Sequence, residues 1–171
     1  MGKEYFELLA KYNKESNRKM NDIIKTLSTE EWDKEFPGFY KSIHGLCSHL
    51  FMSDYSKLKS LKLIDNFQSL NDDYFNKTYS SKDVLFSNMN EYLIKRPELD
   101  DIIIHFINEI NDNSLLKTTT FKNHTGITFE KRMDIILLHI FNHGTHHRGM
   151  ISLYLEMSGK ENDYSGLYFY G

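Results

Sequence analysis

Pro37 and Pro97 are the only prolines in 171 residues, and nine glycines add little further punctuation. Many short strands need frequent turn residues, so breaks this sparse favour long helices. The apolar spacing agrees. Phe6, Leu9 and Tyr12, then Met20, Ile23, Ile24 and Leu27, mark an amphipathic helix over about 4–27 with a polar middle at 13–19. Ser28-Thr29-Glu30-Glu31 has the form of a capping box and predicts a short helix carrying Trp32, ended by Pro37-Gly38. A second long helix is expected over about 40–63, with Ile43, Leu46, Leu50, Leu58 and Leu61 on one side and His49 near that side. Residues 65–79 are polar and read as a connection. Ser80-Ser81-Lys82-Asp83 offers a cap for a third helix through Val84, Met89, Tyr92 and Leu93. Pro97 can kink it before Leu99, Ile102, Ile103, Phe106 and Ile110 carry the period on to about 113.

From Leu116 to Phe129 the chain is β-branched and aromatic around the turn cluster Asn123-His-Thr-Gly126, which predicts a small β-hairpin. The last helix, about 131–157, is the most regular, with Gly159 as its stop. Its inner stripe is Met133, Ile136, Ile140, His143, His147, Met150 and Tyr154. The aromatic tail Tyr164–Tyr170 is expected to pack. The expected fold is therefore all-α, a four-helix bundle with a small β-hairpin before the last helix, in a single domain over 1–171.

Composition narrows the function. Twenty-one basic against 24 acidic residues give a net charge of −3, too balanced for a nucleic-acid surface. Lys57, Lys59 and Lys62 form the one notable basic group, which a solvated helix face explains. No stretch reaches the roughly 18 apolar residues that span a bilayer. The start, Met1-Gly-Lys-Glu-Tyr-Phe6, lacks a secretory apolar core. The single cysteine, Cys47, excludes an internal disulfide framework and fits a reducing compartment, so a cytoplasmic protein is expected.

Four of the eight histidines, His139, His143, His146 and His147, fall in one nine-residue window. His143 and His147 are four apart, about 40° around a helix axis and about 6 Å along it. Two imidazoles so placed can converge on one metal ion. Both also lie on the apolar stripe, where each ring needs a polar partner that a metal would supply. His139 can pair with His143 by the same spacing. His139 and His147 are about 12 Å apart along the axis, so all three cannot serve one ion. No Glu follows His139 or His143, which excludes the His-Glu-x-x-His metalloprotease pattern.

The run His139-Ile-Phe-Asn-His143-Gly-Thr-His-His147-Arg-Gly-Met150 resembles the signature of the DinB family, which includes YfiT-like metal-dependent proteins. That signature is an Asn-His pair, then two adjacent histidines, Arg and Gly, near the end of the last helix. Ser42-Ile-His-Gly-Leu-Cys-Ser-His49-Leu-Phe-Met-Ser-Asp54 is similar to the family's second-helix segment, and Arg96-Pro-Glu-Leu-Asp100 and the hairpin also fit. The resemblance implies a four-helix bundle holding a divalent metal, zinc or nickel, on His49, His143 and His147. Met150 departs from the pattern, since many relatives have Gln there. The other histidines take bland roles: His146 a hydrogen bond beside the site, and His44, His105 and His124 surface or structural positions. Cys47 faces away from His49 on an ideal helix, Arg148 reads as a salt-bridging residue, and Asp54 as a solvated carboxylate or an orienting group for an imidazole.

Three neutral ligands leave a coordination position open, which favours catalysis over a structural role. The resemblance implies transfer of a low-molecular-weight thiol, of the bacillithiol or mycothiol type, onto a small-molecule electrophile. Two alternatives stand beside it. One is hydrolysis by a metal-activated water, for which the sequence offers no clear general base and Tyr154 only as an orienting group. The other is a stress-induced metal- or ligand-binding protein without turnover. The family name refers to induction by DNA damage, not to DNA binding. Homodimerisation through bundle faces is a further expectation of the resemblance.

Overall fold

The computed structural model describes residues 2–79, 84–122 and 126–170. Four long helices make the body: α1 (Lys3–Ile24), α3 (Ile43–Leu61), α4 (Met89–Glu109) and α6 (Met133–Met157). Short helices α2 (Thr29–Asp33) and α5 (Asp112–Leu115) join them. The two-stranded hairpin of β1 (Thr118–Lys122) and β2 (Thr128–Arg132) precedes α6. α1 packs on α4 and α6, and α3 packs on the same two helices, so the four close around one core. The all-α four-helix bundle with a hairpin is the fold that the periodicity predicted. Among the described residues no helix is long and apolar enough to cross a membrane.

Local chemistry sets the boundaries. Ser28 caps α2 reciprocally with Glu31, as the sequence indicated. α3 begins at Ile43, later than expected, because the Ser42 hydroxyl accepts from the Gly45 N–H and forms the cap. That leaves Tyr40 in the loop before the helix. The expected cap at Ser80–Asp83 lies outside the described residues. α4 starts at Met89, not near Val84, with Asn88 accepting from the Glu91 N–H. The apolar residues upstream of Met89 are loop: Phe86 is buried against Phe51 and Tyr92. α4 then runs through Pro97 without a break in its helical span. α6 ends on Gly159, whose φ of +75° suits glycine and the closing bonds to Glu156 and Leu155.

The hairpin pairs Thr118 with Arg132 through Lys122 with Thr128, antiparallel. Its second strand passes directly into α6, two residues later than the spacing indicated. Thr119 anchors it by donating to the Ser60 carbonyl at the end of α3. The aromatic tail docks in part. Tyr164 is buried and donates to the Arg148 carbonyl, while Tyr168 and Phe169 are exposed.

The polar middle of α1 faces inward. Asn13, Ser16 and Asn17 are each about 1–2% exposed. Both asparagine amides donate to Asp100 on α4, and their carbonyls accept from Arg148 on α6. Asp100 also takes two hydrogen bonds from Arg96, which reaches across to Asp54 on α3 at 2.8 Å. Two arginines, two aspartates and two asparagines thus join all four long helices through the core. Burial works against the Arg96 charge, but Asp100 and Asp54 outweigh it and keep the guanidinium protonated. Arg148 is therefore not the salt-bridging residue expected. Its guanidinium meets amides and the Thr145 hydroxyl and lies over the Tyr12 ring.

Gly144 makes room for this junction. A Cβ there would stand 3.1 Å from both Arg148 Nη1 and Asn13 Oδ1, closer than ordinary contact. Overpacking of this kind costs about 1–3 kcal/mol, against a helix-propensity gain of up to about 1 kcal/mol. Gly144→Ala is therefore expected to lower stability by about 1 kcal/mol, read as an earlier urea midpoint, instead of raising it as an exposed helical Gly→Ala change would.

Candidate metal centre

α3 and α6 lie side by side, and each brings histidines to the shared face. On α6 the four-residue spacing brings His143 and His147 together, tilted, with ring centroids 4.2 Å apart. His49 of α3 meets them at 5.0 and 4.6 Å. One ligand-capable atom from each of the three lies within 4.8 Å of the others, and His49 Nε2 is 3.1 Å from His143 Nε2. His147 is buried, and His49 and His143 are half-buried. The geometry thus brings together the three residues that spacing and resemblance singled out.

Burial sets their protonation. Loss of water pushes His49 down to about 4, with Lys57 adding to the effect. Desolvation and then the neighbouring His147 and His49 push His143 down to about 2. His147 falls to about 4 through burial, then His49 and His146. All three rings are neutral at pH 7 and offer lone pairs. Nδ1 of each is buried with no hydrogen-bond partner among the described residues. Such groups cost about 1–3 kcal/mol when left unsatisfied, so this arrangement is unfavourable as a purely structural cluster. The Nε2 atoms of His49 and His143 face each other at 3.1 Å, where two neutral rings can share one proton at best; a divalent cation would take both lone pairs, and the nitrogen donor set suits zinc or nickel. The residues present fit the group.

The lowered values have a consequence for the metal-free protein. Between pH 6.5 and about 4 the unfolded chain binds protons that the folded histidines refuse, so stability falls as pH falls through that window. The urea midpoint in excess chelator is expected to drop from pH 7.5 to pH 5. A variant with all three histidines replaced by alanine should show a shallower drop, and an equal slope in both would refute the assignment.

The other expected residues fall elsewhere. His139 stacks on His143 but is exposed and outside the three-histidine group. His146 is exposed and edge-on to His147, with no hydrogen bond among the described residues, so it is not the hydrogen-bonding neighbour expected. His44 is structural: its ring stacks on Trp32 and its nitrogens reach Asp33 and the Phe86 carbonyl. His124 lies outside the described residues. Cys47 is fully buried, with its thiol pushed up to about 12 by burial, and it lies outside the three-histidine group. Asp54 neither orients an imidazole nor sits in solvent, because Arg96 holds it in the core. Met150 packs against the core from a partly buried position. The three lysines of α3 and its C-terminal cap are partly buried and engaged with neighbours. Lys59 donates to the Lys77 carbonyl, Lys62 pairs with Asp72, and Lys57 is partly buried near the histidines.

One residue of the site was not legible as such. Tyr40 Oη lies 2.9 Å from His49 Nε2, and its ring is 4.2 Å from that of His49 and 5.4 Å from that of His147. Tyr154, expected at most to orient a ligand, instead supports the loop that carries Tyr40. It stacks on Phe36 at 4.3 Å and points its hydroxyl to the Pro37 carbonyl.

Comparison with known proteins bears on the family of the chain. The model of the DinB family matches residues 1–166. The chain is similar to Protein DinB of Bacillus subtilis (strain 168), 25% identical over 167 residues, which is 95% of this chain and 92% of that protein. No solved structure gives a significant match.

Proposed function

The chain belongs to the DinB family, and from that premise we propose that His49, His143 and His147 hold a divalent metal ion that activates a low-molecular-weight thiol for transfer onto a small electrophile. The observation that carries the reading is the convergence of three neutral, desolvated imidazoles with no fourth ligand of the group among the described residues. Among the described residues the group contains no carboxylate or thiolate. Structural zinc sites are normally closed by four protein ligands, whereas three leave a position for an exchangeable group. A divalent ion held there lowers the pKa of a coordinated thiol, so that thiolate is present at neutral pH.

The protein's own groups set what can happen next. The histidines stay neutral because they are desolvated, so they bind instead of taking up the thiol proton, which leaves to solvent. The sulfur forms its bond to the electrophilic carbon as the leaving group departs with the electron pair. Hydrolysis has less support. It calls for a proton acceptor at the site, and the buried carboxylates of the junction, Asp54 and Asp100, are both taken by Arg96.

Elemental analysis of tag-free protein purified without a nickel column is expected to find about one zinc, nickel or similar ion per chain. The loaded protein is then incubated with bacillithiol or mycothiol and a panel of electrophiles, and conjugates are sought by mass spectrometry. Metal without conjugation by any thiol would refute transfer and leave a metal-binding module. Absence of metal even after reloading would refute the whole reading.

A further inference from the structure

We propose that the Tyr40 phenol serves the open position of this centre, donating a hydrogen bond to the anionic group that occupies it; the inference rests on the metal-holding reading above. It starts from a count of partners at His49 Nε2. That nitrogen lies 2.9 Å from Tyr40 Oη and 3.1 Å from His143 Nε2. An imidazole nitrogen offers one lone pair or one N–H, so it serves one of these neighbours well and not both. A cation held by the three rings takes the lone pair. The phenol O–H is then released at a point already inside the site. Packing against His49 and His147 holds the ring there.

The loop is shaped to hold the phenol in that place. Lys41 has a φ of +57°, a strained conformation for a residue with a long side chain. Its carbonyl accepts from the Phe36 N–H, and the Ser42 N–H donates to the Tyr40 carbonyl at 2.7 Å, which closes the loop over residues 36–42. Two glycines permit the fit. A Cβ on Gly45 would lie 2.3 Å from the Tyr40 carbonyl oxygen, and one on Gly38 would lie 2.3 Å from Tyr154 Oη. Burial of the Tyr40 ring does not account for this strain, because the residue is partly exposed. The approach of its hydroxyl to the histidines does.

The test uses cobalt-substituted full-length protein, wild type and Tyr40→Phe, titrated with azide while the visible absorption of Co(II) is followed. Tyr40→Phe is expected to bind Co(II) as tightly as wild type or more tightly, because the metal no longer displaces the phenol from His49. It is expected to bind azide about ten-fold more weakly, the loss of one hydrogen bond to a charged acceptor. Gly45→Ala keeps the phenol but displaces its carbonyl, and is expected to weaken azide in the same direction. It carries the test if Tyr40→Phe does not fold by circular dichroism. Equal azide affinity in wild type and variants would overturn the proposal. So would a Tyr40→Phe protein that loses Co(II) affinity while azide binding holds or rises, because the phenol would then be a ligand itself. Failure of wild type to bind Co(II) would refute the metal reading instead.

Discussion

Arg96→Met is expected to cost about 3–5 kcal/mol of folding free energy, a large share of the roughly 5–15 kcal/mol that holds a typical domain together. Arg96 is fully buried, and Asp54 and Asp100 are about 2–3% exposed. Without the guanidinium both carboxylates would remain in the core, one with two amide donors and the other with none among the described residues. Leaving a buried charge uncompensated is far more costly than never building the pair. Asp100→Asn should cost less than Arg96→Met, and Asp54→Asn less again, because Asp54 accepts from Arg96 alone. Equilibrium urea unfolding followed by circular dichroism ranks the three, and a wild-type midpoint for Arg96→Met would show that the carboxylates find other partners. Asp54 is five residues beyond His49 and Arg148 adjoins His147, so the same junction fixes the two helices that carry the site.

The second large effect concerns the ion. His49→Ala, His143→Ala and His147→Ala are each expected to weaken metal binding by more than about a hundred-fold, beyond the roughly 10–100-fold that loss of an outer hydrogen-bonding partner costs. Helical content should stay near wild type, because the helices are held by the apolar core and the Arg96 junction. His146→Ala is the control, since its exposed ring meets His147 only at an edge, and its metal affinity should not change. Competition against a calibrated chelator measures all four. Wild-type affinity in His143→Ala would place the ion elsewhere, because His143 stands against both other rings.

Periodicity made the long helices and the His143–His147 pair legible, because both depend on spacing along one element. His49 needed the family resemblance, since nothing local separates it from His44. What stayed hidden depends on partners distant in the chain. Asn13, Ser16 and Asn17 read as a weakness in α1, yet they face inward because Arg148 and Asp100 await two of them and Tyr164 the third. Asp54 looked like a solvated group because Arg96 is 42 residues away. Tyr40 was absorbed into the helix pattern of α3. The signal against that was local: Ser42 directly before Ile43 is a cap, which puts the aromatic pair Phe39-Tyr40 outside the helix. Val84 misled in the opposite way, since an exposed apolar loop residue looks like a helix residue in a pattern count.

The proposed ligands come from α3 and α6, and His49 and His143 are separated by 94 residues of chain. An ion that joins them binds the folded chain and has little hold on the unfolded one. Metal supply then acts as a thermodynamic ballast: at a free concentration one hundred times the dissociation constant it adds about 2.7 kcal/mol to stability. The melting temperature becomes a gauge of occupancy that needs no substrate. In a cell whose proteases remove unfolded copies, the steady-state amount of this protein would follow the availability of its ion, even with transcription unchanged.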